Sequence, residues 1–191
     1  MDILNYIKPK LSFLEPTIEN NVRKIYIFKF LKWFLISSPV SYLFYKENGI
    51  STTEIMTLHS IYSISMVILD LPLGYVADFI GRKKALIISS IFAFIAFFLY
   101  SLSSVFYEFV VVQLFLGLAT SLASSTDSAL LYDTLDELNK NKDYKENERN
   151  ILSIESFSEA TASILGGLVA TINMRYNLYF ETFFIFISII L

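Results

Sequence analysis

Long continuous runs of hydrophobic residues, separated by shorter polar segments, dominate the chain. A helix needs about 20 mostly apolar residues to cross about 30 Å of hydrocarbon, whereas strands of a membrane barrel alternate apolar and polar positions over about 10 residues. The runs here are continuous, so they predict an all-α integral membrane protein with six transmembrane helices. The six windows are Ile25–Phe44, Met56–Ala77, Ala85–Leu102, Phe106–Tyr132, Ile151–Ile172 and Tyr176–Leu191.

The polar segments divide the chain into four parts. We expect a cytoplasmic N-terminal segment at residues 1–24, four transmembrane helices at 25–132, a charged cytoplasmic loop at 133–150, and the fifth and sixth helices at 151–191. The sixth window is shorter than the hydrocarbon thickness requires, so its helix is expected to be truncated. For the first twenty residues, a helix on the membrane surface and disorder both stay open. For the charged loop, a solvated helix and a flexible linker both stay open.

Basic residues indicate the orientation of the chain, because Lys and Arg are enriched in cytoplasmic loops. With the N terminus inside, eleven Lys and Arg residues fall in cytoplasmic segments, and only Lys46 and Arg175 fall outside. Lys29 and Lys32 lie within the first span. We therefore expect a multi-pass protein of the plasma membrane with a cytoplasmic N terminus.

Composition excludes several classes of function. Hydrophobic residues make up 54% of the chain and charged residues 17%, against about 25% charged in soluble domains. The net charge of −3 leaves no basic face for nucleic acid. The chain has no cysteine, and His59 is its single histidine, so we expect no metal site. A structural role is favoured for His59, and a role in pH sensing stays open. Neither a nucleotide-binding loop nor a nucleophile–base spacing is present, so we expect no cofactor and no enzymatic activity.

Six charged residues fall inside the predicted spans, all about 6–13 Å from the cytoplasmic ends at 1.5 Å per residue. Each would cost about 2.5–3.5 kcal/mol against lipid, so we predict that they meet in a polar cluster in the cytoplasmic half of the bundle. Two interpretations stay open: an ion-pair network that holds the helices together, and groups that bind substrate or protons. The six residues are Lys29, Lys32, Asp70, Asp127, Glu155 and Glu159.

Small residues recur every four positions in the fourth and fifth spans. Such stripes let helix backbones approach closely in lipid, and the pattern fits both plain packing and a role in helix rocking. The stripes are Gly117, Ser121, Ser125 and Ala129, and then Ser158, Ala162, Gly166 and Ala170.

The segment between the second and third spans carries a recognisable motif, with the order Gly-x-x-x-Asp-x-x-Gly-Arg-Lys at Gly74, Asp78, Gly81, Arg82 and Lys83. It resembles the signature loop between the second and third helices of the major facilitator superfamily of secondary transporters. The resemblance covers the whole chain as the N-terminal six-helix half of such a transporter.

The resemblance implies a conformational latch on the cytoplasmic side. In the family, the loop aspartate receives hydrogen bonds from a helix N terminus and pairs with a basic residue, and the arginine reaches an acid at the end of the fourth helix. These positions correspond to Asp78, Arg82 and Asp133. The family also places the third and sixth helices towards lipid, and the polarity of the spans follows that division apart from Glu181.

Two further segments, Asp70–Gly74 and residues 127–135, look like a bacterial subgroup of uncharacterised permeases. Proton-coupled exporters of the superfamily carry an arginine where this chain has Gln113. Drug antiporters carry a Gly-Pro pair before the double glycine, and none precedes Gly166 and Gly167. Both departures disfavour proton-coupled drug export.

Together these observations favour secondary active transport of a small solute by alternating access, with the solute, the lipid bilayer and a missing C-terminal half as partners. A half-size transporter acting as a homodimer is one alternative. A non-transporting membrane protein, or the remnant of an interrupted gene, is the other.

Overall fold

The structure, a computed structural model, describes residues 18–190, and all regular secondary structure in that range is helical. This agrees with the predicted all-α class. Most of the predicted N-terminal segment lies outside the described residues. The seven α-helices are α1 (Ile18–Lys32), α2 (Ser41–Glu47), α3 (Thr52–Ile80), α4 (Arg82–Leu102), α5 (Phe106–Glu137), α6 (Tyr144–Ala170) and α7 (Met174–Ile190).

Three of these helices, α3, α4 and α5, are long and apolar enough to cross a membrane, judged by length and composition. They contain the second, third and fourth predicted windows. In the described part of the chain, the helices of the other three windows do not reach that criterion, so the structure supports a helical membrane protein without establishing six spans.

The long helices begin and end at recognisable residues. Ser51 and Glu54 form a capping box at the start of α3, which satisfies backbone N–H groups that lack partners in the first turn. Gly81 separates α3 from α4 with φ of 94°, a left-handed conformation that favours glycine.

The first predicted span is two helices rather than one. Helix α1 ends at Lys32, residues 33–37 are not helical, and a 3-10 turn at Ser38–Val40 leads into α2. Pro39 lies in that turn, and proline disfavours helical geometry at the residue before it. The window Ile25–Phe44 is therefore interrupted near its centre.

The predicted loop at 133–150 is largely helical. Helix α5 continues to Glu137 and α6 already begins at Tyr144, so the connection consists of residues 138–143 and includes a 3-10 turn. Charged residues end a hydrophobic stretch of sequence, but they do not end a helix, because the part of a helix that lies in water tolerates charged side chains. Tyr26 of α1 closes this end of the bundle by donating to Asn147 Oδ1 at 2.8 Å.

Helix α5 is the centre of the bundle, with α3 and α4 packed against it. A Cβ on Gly117 would come within 2.7 Å of Ser65 Cβ on α3, and one on Gly74 would lie 3.6 Å from Ser125 Cβ. The small residues of α5 thus allow α3 to approach closely. Helices in lipid depend on such close contact, because the hydrophobic effect does not drive them together there. Helix α4 buries one face, including Ser89 and Ser90, against α5 and α7.

An aromatic core fills the end of the bundle where α2 and α3 meet. Tyr45 stacks on Tyr100, with ring centroids 5.5 Å apart, and meets Phe109 edge to face at 4.9 Å. Arg175 donates to the Ser101 carbonyl at 2.8 Å and lies 5.4 Å from the centre of the Phe44 ring. The arginine therefore ties the start of α7 to the end of α4 and to α2.

Candidate functional site

A cavity of about 500 Å³ lies inside the bundle, and all seven helices contribute to its wall. Its size falls within the range of small-molecule sites, about 300–1,000 Å³. One end is bounded by charged side chains of α1, α5 and α6, and the wall continues past the interruption of the first span to α7. Polar groups that insertion into lipid would penalise therefore line a partly open cavity.

Four of the six charged residues predicted to form the cluster contact one another at this cavity. Lys29 Nζ lies 2.5 Å from Asp127 Oδ2 and 3.0 Å from Glu155 Oε1, and Lys32 Nζ lies 3.3 Å from the same Asp127 oxygen. Lys29, Asp127 and Glu155 are nearly buried, whereas the Lys32 side chain is 29% exposed. Removal of one partner from such a pair typically costs about 3–5 kcal/mol, because a buried charge is left without compensation.

The other two residues do not join the cluster. Asp70 is exposed on α3 and accepts a hydrogen bond from Ser124 Oγ at 3.1 Å. Glu159 is exposed on α6, one turn from Glu155, and no ion pair within the described residues includes it. Depth in the membrane is thus similar for all six, but helix rotation separates Asp70 and Glu159 from the rest.

The interruption of the first span is held by two side chains of α7. The backbone N–H of Ser37 donates to Glu181 Oε2 at 2.9 Å. Asn177, one turn earlier on α7, donates to the carbonyls of Ile36 at 3.3 Å and Gly166 at 2.9 Å. Non-helical backbone at membrane depth needs such partners, because lipid supplies none.

Sequence reasoning did not place α7 in the site, although Glu181 stood out as an exception to the lipid-facing expectation. Asn177, Glu181, Ile185 and Ser188 are all buried and recur on one face of α7. Polar residues four positions apart in an apolar helix are a signal for an inward face. That signal was available in the sequence.

The wall of the cavity beyond the cluster is aromatic and hydroxylic. Gln113 donates to the Tyr45 hydroxyl at 2.8 Å, and Tyr62 donates to Thr120 Oγ1 at 3.2 Å. His59 also lies at the wall, with its ring centre 6.5 Å from that of Tyr45. Within the described residues, no group of three or more acids and histidines is arranged to hold a metal ion.

The residues of the predicted latch lie together at the start of α4. Arg82 Nε is 3.3 Å from Asp133 Oδ2 on α5, and Arg82 also lies 3.8 Å from Asp78. Asp78 is exposed, and in the part of the chain that the structure describes it accepts no hydrogen bond from a helix N terminus. Lys83 is exposed beside this pair.

The helical fold and the long apolar helices are those of a membrane protein. The family model described as Major Facilitator Superfamily matches residues 25–191. The chain therefore belongs to the major facilitator superfamily, whose members are membrane transporters. A search of curated proteins found no significant match.

Proposed function

We propose that the chain is the N-terminal six-helix half of a permease that moves a small solute across the plasma membrane by alternating access. Its first span comprises α1 and α2, its N terminus is cytoplasmic, and it carries out no covalent chemistry. This topology divides the chain into four parts. They are an N-terminal segment (1–24), four helices (25–132), a cytoplasmic connection (133–150) and two helices (151–191).

The cavity is the observation that carries the proposal. It is large enough for a small solute, and it reaches from the ion-pair cluster of α1, α5 and α6 to Glu181 of α7. Transporters place such sites where discontinuous helices meet near the bilayer midplane. We assign solute binding to the cluster of Lys29, Lys32, Asp127 and Glu155, and a supporting role at its edge to Asp70 and Glu159.

We assign the motif residues to the control of access from the cytoplasm. An Arg82–Asp133 pair joins the start of α4 to the end of α5, and charge-assisted pairs of this kind are stronger than neutral hydrogen bonds. Gly81 allows the sharp turn, Gly74 lies close to α5, and Asp78 and Lys83 complete the polar surface of the loop.

A second candidate is a half-size transporter that works as a homodimer. It is favoured by the exposed apolar face of α3. In the most hydrophobic stretch of this helix, only 6% of the residues are buried within the bundle. Leu71, Tyr75 and Phe79 are each at least 76% exposed along that face. A second half or a second copy would cover the same surface, and chemical cross-linking of the purified chain distinguishes the two.

Two-sided accessibility of the cavity tests the proposal. The chain has no cysteine, so single cysteines at Ser128 and Ser38, at two places on the cavity wall, can be labelled with a membrane-impermeant maleimide. We expect Ser128→Cys to react mainly in inside-out vesicles and Ser38→Cys mainly in right-side-out vesicles. Lys142→Cys, in the charged connection, is the orientation control. If neither cavity cysteine reacts from any side, the proposal is wrong.

A further inference from the structure

Glu181 is a buried carboxylate, and one of its two oxygens lacks a hydrogen-bond donor within the described part of the chain. The residue is 1% exposed and lines the cavity. Its Oε2 accepts the Ser37 N–H, whereas Oε1 has no hydrogen-bond partner among the described residues. A buried acceptor without a donor is unfavourable, and a buried charge without a partner more so. The site is therefore suited to a donor that carries positive charge.

The charges at the cavity wall also single out Glu181. Lys29 and Lys32 are in contact with Asp127 and Glu155, so two positive charges are matched by two negative ones. Glu181 forms no ion pair within the described residues, and it is the fifth charged side chain of the wall. The ionised cavity thus carries one uncompensated negative charge, and it lies on α7.

The walls indicate what kind of cation fits. Trp33, Tyr45, Phe97 and Tyr100 line the same space, and aromatic faces attract cations and pack against apolar groups. An inorganic cation would leave these faces unused, and an anion would be repelled by Glu181. A cavity of about 500 Å³ accommodates an organic molecule with a compact hydrocarbon body.

We propose that the cavity binds a small organic monocation whose primary ammonium group donates to Oε1 of Glu181 and whose aromatic or aliphatic body packs against the aromatic wall. This inference rests on the proposed function and names the class of its solute. Glu181 supplies the negative charge, and the ammonium group supplies the hydrogen-bond donor that Oε1 lacks. The Ser37 N–H keeps the carboxylate oriented at the interruption of the first span.

Binding to the purified full chain in detergent tests the assignment directly. Trp33 is the single tryptophan and lies at the cavity wall, so its fluorescence reports occupancy. We expect a saturable change with 2-phenylethylammonium, which is charged at neutral pH like a lysine side chain. The equally sized neutral alcohol 2-phenylethanol should bind at least tenfold more weakly, a difference of about 1.4 kcal/mol or more.

Two variants localise the effect. Glu181→Gln keeps the shape of the side chain but removes its charge, and should weaken 2-phenylethylammonium binding at least tenfold. Glu146→Gln, the same change at an exposed position of α6, should leave binding unchanged. Circular dichroism checks the folding of Glu181→Gln. If that variant does not fold, the comparison of amine with alcohol on the unaltered chain still tests whether the cavity prefers a cation.

The proposal is overturned if the alcohol binds as tightly as the amine, if the amine produces no saturable change, or if folded Glu181→Gln binds the amine as the unaltered chain does. These outcomes are separate from the test of transport, because cysteine accessibility needs no ligand. Two-sided labelling without amine binding would reject only the solute class.

Discussion

At the residue scale, Asp127 is the acid on which the charged cluster depends, since both Lys29 and Lys32 contact its Oδ2 atom. Asp127→Asn leaves two ammonium groups with Glu155 as their remaining partner. We expect a loss of about 3–5 kcal/mol in the free energy of unfolding. A thermal melt in detergent, followed by Trp33 fluorescence, measures the change.

A second substitution separates charge balance from shape. Lys32→Met removes the more exposed of the two lysines, so Asp127→Asn combined with Lys32→Met should be less destabilised than the sum of the single changes. Contacting residues typically show interaction energies of about 0.5–3 kcal/mol. Asp136→Asn, at an exposed position, is the control for loss of one carboxylate. Strictly additive effects would contradict the cluster as described.

The sequence could predict these contacts only in part. Helical rise places Lys29, Asp127 and Glu155 at the same depth, and intramembrane charge favours pairing, so their association follows from the residues. Asp70 has the same depth, but it lies on the exposed side of α3 and accepts a hydrogen bond from Ser124 of α5. The rotation of a helix about its axis depends on packing across the whole interface, which depth alone does not determine.

At the scale of elements, the interruption of the first span is the feature on which the cavity depends. A Cβ on Gly166 would overlap the carbonyl oxygen of Ile36, so Gly166→Ala should push α6 away from the interruption and lower the melting temperature. A Cβ on Gly167 would meet nothing within 4 Å. Gly167→Ala should therefore be neutral or stabilise by about 0.5–1 kcal/mol, because alanine favours a helix.

The two alanine variants form a matched pair, one residue apart and with the same added methyl group. Thermal melts measure their stability, and the emission maximum of Trp33 reports whether the interruption has moved. Equal melting temperatures for Gly166→Ala and Gly167→Ala would show that α6 does not pack against Ile36 as the structure has it.

Helix boundaries were predictable where one physical signal dominated. Apolar runs indicated α3, α4 and α5, because lipid requires long hydrophobic helices. The end of α1 at Lys32 was not predicted, although Ser37, Ser38 and Pro39 are a local signal for an interruption. Hydropathy does not register that signal, since an apolar window scores the same whether its backbone is continuous or broken. For residues 133–150 the mixed charges fitted both a solvated helix and a flexible linker, and the structure begins α6 at Tyr144.

At the scale of the whole molecule, the Arg82–Asp133 pair connects the loop motif with the long central helix. If the pair holds the cytoplasmic side closed, Arg82→Ala should make the cavity more open to the cytoplasm. We expect a severalfold rise in maleimide labelling of Ser128→Cys in inside-out vesicles, with a corresponding fall for Ser38→Cys in right-side-out vesicles. Lys84→Ala, which removes an exposed charge from the same turn, should change neither rate.

Charge reversal distinguishes a latch from a general effect on folding. Arg82→Asp should raise inside-out labelling of Ser128→Cys, and the further change Asp133→Arg should restore it, because the pair is re-formed with its charges exchanged. Only partial recovery is expected, since Asp78 lies 3.8 Å from Arg82 and would repel an aspartate at position 82. If the reversed pair labels like Arg82→Asp alone, the contact is incidental to access, and opening of the cytoplasmic side must depend on groups outside the loop motif.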